Sequence, residues 1–105
     1  MQEPPSPEDP GETGRSQPQV RIRYWAAARA AAGTAEDVIA ARTVADALAG
    51  VRALRRDNPG LDRFERVLSI CSLLLDEQPL GGRDHASVAV ADGDVIDVLP
   101  PFAGG

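Results

Sequence analysis

Asp92-Gly93-Asp94-Val95-Ile96-Asp97-Val98-Leu99-Pro100-Pro101-Phe102-Ala103-Gly104-Gly105 is the stretch whose reading decides the fold. Asp-Gly-Asp is a strong turn signal, because glycine reaches backbone angles closed to other residues and aspartate side chains bond nearby backbone. Val95 to Leu99 then reads as a strand, with Ile96 and Val98 on one face and Val95 and Leu99 on the other. Pro100 and Pro101 end it, since proline lacks the donor a ladder needs. Phe102-Ala103-Gly104-Gly105 has too few anchors to belong to a core. Two prolines make the exit from the sheet extended and stiff. Two glycines make the end narrow enough to thread a tunnel and to approach other backbones closely. If Gly105 is the last residue, the group presented there is a free carboxylate. A carboxylate is a poor electrophile until ATP converts it to an acyl-adenylate, which a sulfur nucleophile can displace.

Upstream of this stretch lie the remaining elements. Val20, Ile22 and Tyr24 alternate with Arg21 and Arg23 from Gln19 onward, the period of a half-buried strand. The alanines after Trp25 favour a helix or compact turn, and Gly33 stops it. Glu36 to Arg42, with Val38 and Ile39, reads as a second strand, antiparallel to the first. Thr43 is placed to cap a helix that carries Val44, Ala47, Leu48, Val51 and Leu54 at helical spacing. Asp46 lies in its first turn and Arg52, Arg55 and Arg56 lie late, as the helix dipole favours. Asn58-Pro59-Gly60 ends that helix. Leu61, Phe64 and Val67 suggest a short helical turn. Leu68 to Leu75 is apolar enough for a buried central strand containing Cys71. Asp76-Glu77 turns it, Gln78 to Leu80 reads as a short edge strand, and Gly81 to Asp84 as loop. The expected architecture is α+β, a mixed sheet over one main helix.

Residues 1–18 differ in kind. Pro4, Pro5, Pro7, Pro10 and Pro18, four acids and almost no apolar side chains predict a disordered tail. The folded domain is expected over 19–105, with a flexible arm over 100–105.

Bulk composition narrows the function. The sequence has 105 residues, a formal net charge of -5, and 11 basic residues that are all Arg. An acidic chain offers no positive field to nucleic acid or to an anionic membrane surface. No apolar run approaches spanning length. One Cys (Cys71) and one His (His85) make no conventional zinc site and no intramolecular disulfide. Neither metal nor bound cofactor is expected, and a cytoplasmic location is. With no Lys, the chain carries no side-chain amine to attack an activated terminus.

The closing stretch, together with the opening VRIRYWAAARAAAG, resembles the MoaD/ThiS-type sulfur carriers. It is most similar to the MoaD-type small subunit of molybdopterin synthase, over Val20 to Gly105. The resemblance implies a ubiquitin-like β-grasp fold. It implies an adenylating enzyme of the ubiquitin-activating type that uses ATP on Gly105, a sulfurtransferase that supplies sulfur, and a MoaE-type large subunit that receives the tail. There the thiocarboxylate would donate sulfur to cyclic pyranopterin monophosphate. In that scheme Gly105 carries the transferred group, Gly104 gives clearance, and Pro100, Pro101, Phe102 and Ala103 form the positioning arm. Catalytic side chains would belong to the large subunit.

Two departures stand out. Asp76-Glu77 replaces the family's usual Asn-Gly turn, and Asp97 puts a charge where a small apolar residue is usual, expected to point outward. Trp25 is readable either as a docking aromatic or as a packed edge residue. Two other readings stay open: a carrier for thiamine or another sulfur-containing metabolite, and a ubiquitin-like binding module or modifier without sulfur chemistry.

Overall fold

The computed structural model describes residues 17–101. Phe102, Ala103, Gly104 and Gly105 and residues 1–16 lie outside the described residues, as therefore do most of the tail expectation and the glycine end. The elements are β1 (Gln19–Tyr24), α1 (Ala26–Ala32), β2 (Glu36–Ala40), α2 (Val44–Leu54), α3 (Leu61–Ile70), β3 (Ser72–Leu75), β4 (Gln78–Pro79), a 3-10 turn (His85–Ser87) and β5 (Val95–Leu99).

One five-stranded mixed sheet has the order β2-β1-β5-β3-β4. β1 is antiparallel to β2 and parallel to β5, and β5 is antiparallel to β3. The closing strand therefore lies at the centre of the sheet, between β1 and β3. Val20, Ile22, Ile96 and Val98 are fully buried on the helix side, against Val44, Ala47, Leu48 and Val51 of α2. Thr43 caps α2 by accepting the backbone N–H of Asp46 at 3.1 Å. This is the ubiquitin-like β-grasp arrangement, α+β in class.

The sheet packs on α2 as its main helix, with α1 and α3 as further helices beside it. Three expectations need correction. The run Leu68 to Leu75 is not a strand throughout: α3 continues to Ile70, and β3 starts at Ser72. Phe64 and Leu68 point inward while Asp62, Arg63, Glu65 and Arg66 face water, so the helical period extends past the place where local apolarity suggests a strand. Cys71 sits at the junction, half-buried, with its thiol donating to the Val67 carbonyl at 3.1 Å. Finally, Leu54 is 62% exposed, because Arg55 takes the next inward place after Val51.

Arg55 is 6% exposed. Its guanidinium donates to the Ala32 carbonyl at 3.1 Å, to the Val51 carbonyl at 3.0 Å and to Asp37 at 2.8 Å. It lies 4.5 Å from the Phe64 ring centroid and 5.4 Å from that of Tyr24. Tyr24 in turn donates to Asp37 at 2.6 Å and meets Phe64 edge to face. Burial and the hydrogen bond to Asp37 both push the Tyr24 phenol far above its ordinary range, so it stays a donor. One arginine thereby satisfies the carbonyls at the end of α1 and within α2, and ties both helices to β2.

Candidate functional site: the root of the C-terminal arm

Two turns hold β5 in place, and three aspartates brace them. Asp92 accepts the Gln19 N–H at 2.8 Å, and the Gly93 N–H donates back to the Gln19 carbonyl at 2.9 Å. Gly93 has φ +88, the left-handed region that favours glycine. Asp94 accepts the Ala91 N–H at 2.8 Å, and its carbonyl accepts from Arg21 at 3.0 Å. Asp-Gly-Asp therefore sets the register of β5 against β1.

On the other side, Asp76 and Glu77 both have positive φ, +49 and +72. These signs are those of the tight two-residue hairpin turn that Asn-Gly favours. The replacement leaves the turn geometry in place. The strain of two non-glycine residues there is offset in part by Asp76, whose carboxylate accepts the Val95 N–H at 2.9 Å.

From this anchored strand Pro100 and Pro101 lead out of the sheet. They line an apolar groove of about 550 Å³ with Trp25, Ala26, Ala27, Ser72 and Leu99. Val95 and Leu99 are half-buried and alternate with the fully buried Ile96 and Val98, so they lie on the outer face as expected.

Asp97 shares that outer face, but it is not a free surface charge. It is 5% exposed. Arg23 holds both its oxygens, at 2.8 and 3.1 Å, and the Trp25 indole N–H donates to one of them at 2.9 Å. The Arg23 guanidinium sits 5.6 Å from the Trp25 ring centroid. Burial pushes the Asp97 carboxyl up, but the hydrogen bonds from Arg23 and Trp25 and the Arg23 charge outweigh it. Its pKa lies below the usual carboxylate value. The expectation of an outward charge is corrected accordingly: the residue faces out of the core but is covered by its own neighbours. Trp25 is pinned at the sheet through its indole N–H and is nevertheless 45% exposed.

Cys71 lines a separate cleft of about 240 Å³ with His85, Arg52 and Leu68. Burial pushes its thiol up, away from the thiolate a sulfur relay needs. Among the described residues no group of three His, Cys, Asp or Glu side chains is placed to hold a metal ion. No helix there is long and apolar enough to cross a membrane.

The family model for the ThiS family matches residues 22–105, from within β1 through the glycine end. The chain belongs to the ThiS family. No curated protein matches the sequence significantly. Among solved structures, it is similar to the complex of subunits 1 and 2 of molybdopterin-converting factor from Helicobacter pylori. That match has 25% identity and TM-score 0.55, covering 83% of this chain and 99% of that one. It is also similar to small archaeal modifier protein 1 from Methanosarcina acetivorans, with 23% identity and TM-score 0.65, covering 85% and 98%. The same modifier from Haloferax volcanii gives 23% identity and TM-score 0.63, covering 83% and 99%. At these identities the two modifiers speak to the fold alone. Trp25, Arg23 and Asp97 are the site residues that composition and periodicity missed as a group. The available signal was a charge on the central strand opposite an arginine.

Proposed function

We propose that this ThiS-family domain is a sulfur carrier of molybdenum cofactor biosynthesis, with the Gly105 carboxylate as its reactive group. The observation that carries the reading is the family match running unbroken through Gly105, on a chain whose central strand leads into Pro-Pro. An oxygen of the carboxylate attacks the α-phosphorus of ATP in the partner's site, and pyrophosphate leaves. A sulfur nucleophile at the oxidation level of sulfide then attacks the carbonyl carbon, AMP leaves, and a C–S bond replaces one C–O bond. Gly104 gives the backbone room in a tunnel, and Pro100, Pro101, Phe102 and Ala103 carry the end away from the domain. The partners of the reading are an adenylating enzyme of the ubiquitin-activating type, a sulfurtransferase and a MoaE-type large subunit, in a cytoplasmic setting. The likeness to the subunit 1 and 2 complex of molybdopterin-converting factor supports the last of these over a thiamine partner, as does Pro-Pro before the tail.

The test is to mix the thiocarboxylated protein with a MoaE-type large subunit and cyclic pyranopterin monophosphate. Dithiolene formation, with return of the carrier to its carboxylate form, supports the reading. A thiocarboxylate that persists there but is consumed in forming the thiamine thiazole would move the protein to the other pathway. A carboxylate that no activating enzyme loads would favour a binding module or modifier.

A further inference from the structure

We propose that Trp25 is a positioning residue for the arm: it fixes the path by which Pro100 and Pro101 leave β5, and Asp97 holds it there. The inference deepens the sulfur-carrier reading and rests on it for its functional consequence.

Four observations carry it. Trp25 directly follows β1, and its backbone N–H donates to the Val98 carbonyl at 3.2 Å, so the pairing of β1 with β5 continues to the last residues before the arm. Its indole N–H is fixed on Asp97 at 2.9 Å, and Arg23 stacks near the ring while gripping the same carboxylate. The ring is nevertheless 45% exposed and lines the groove shared with Leu99, Pro100 and Pro101. Ala26, the next residue, has φ +50, an uncommon conformation for a residue with a Cβ. A side chain that merely filled the sheet edge would require neither a desolvated carboxylate on the central strand nor a strained corner behind it.

The consequence follows from the stiffness of Pro-Pro. The proline pair takes its direction at its root, so a change there redirects whatever follows Pro101. Loosening the indole spreads the arm over directions that do not enter a partner's tunnel. The apparent affinity then falls by the fraction of molecules correctly aimed, while the chemistry of those that enter is unchanged.

The experiment uses the full chain and two readouts. Trp25 is the sole tryptophan, so its emission reports on the groove without any sulfur chemistry. Replacing Pro100 and Pro101 with glycine, and separately Asp97→Ala, should each red-shift the emission and raise quenching by acrylamide. Unchanged emission in both overturns the proposal. The second readout is the steady-state kinetics of adenylation or sulfur loading by an activating enzyme. Trp25→Ala should raise KM about tenfold and change kcat by less than about twofold. Asp97→Ala should do the same more weakly, and Asp97→Asn, whose amide oxygen still accepts the indole N–H, should recover most of that loss. A KM unchanged in Trp25→Ala, with the variant folded by circular dichroism, overturns the proposal. If wild-type protein is never loaded, the sulfur-carrier reading fails, and the fluorescence pair still decides whether Trp25 holds the arm.

Discussion

Among the described residues, two arginine–aspartate pairs share the same 2.8 Å contact and have different uses. Arg55 is buried and Asp37 half-buried, at the seam of α1, α2 and β2, against Tyr24 and Phe64. Arg23 and Asp97 lie on the opposite face of the sheet, with Asp97 buried, Arg23 39% exposed and Trp25 attached. The first pair has little contact with water to fall back on. The second has a partner that can rehydrate. Burial therefore decides whether such a pair holds the fold or adjusts a surface, and geometry alone does not separate the two.

The largest effect follows from breaking the inner pair. Arg55→Ala leaves Asp37 with the Tyr24 hydroxyl but no cation, and strips two helix carbonyls of their arginine donor, which should cost about 3–5 kcal/mol. A domain of this size has total stability of about 5 kcal/mol or slightly more. Urea titration should find the variant largely unfolded at room temperature. A midpoint close to wild type would show that the seam is not what holds the helices.

Breaking the outer pair should be milder in stability and sharper in function. Asp97→Ala should remain folded, because Arg23 turns to solvent. Its acid behaviour carries a sign that can be checked. The Asp97 pKa in the folded state lies below the ordinary 3.8. Its contribution is therefore complete above that value and is lost as pH falls through the folded value. In thermal melts at falling pH, Asp97→Asn should lose less stability than wild type below about pH 4. Parallel acid limbs would contradict the pairing.

Two smaller effects separate strain and sulfur chemistry from these pairs. Ala26→Gly should raise stability by up to about 1 kcal/mol, since glycine accepts positive φ without steric cost. A loss of melting temperature instead would mean that the alanine side chain packs well enough to outweigh its strain. Cys71→Ala should leave sulfur loading unchanged, because the thiol is half-buried and held protonated. Loss of loading would make Cys71 a relay.

Much of this was legible in the sequence because the signals were periodic or fixed by turn chemistry. Alternation marks β1, the Thr43 cap and inward stripe mark α2, and Asp-Gly-Asp marks the entry to β5. The misread segments share a physical cause. In Leu68 to Leu75 local apolarity outweighed a helical period that only tertiary contact with the core sustains. Arg55 and Asp97 are charged residues whose burial depends on partners 18 and 74 positions away, a separation no local pattern encodes. Strand order is of the same kind: β5 pairs with β1 across most of the chain. Trp25 could be read only as either packed or docking, since its indole contact with Asp97 spans 72 positions.

Activation of the Gly105 carboxylate is the central proposal. The direct measurement is the intact mass of the protein purified from cells with an active sulfur pathway, beside a variant lacking Gly105. The prediction is a species heavier by the exchange of one oxygen for one sulfur, located at Gly105 by fragmentation and missing from the variant. A chain that keeps its carboxylate when supplied with activating enzyme, ATP and a sulfur source would contradict it.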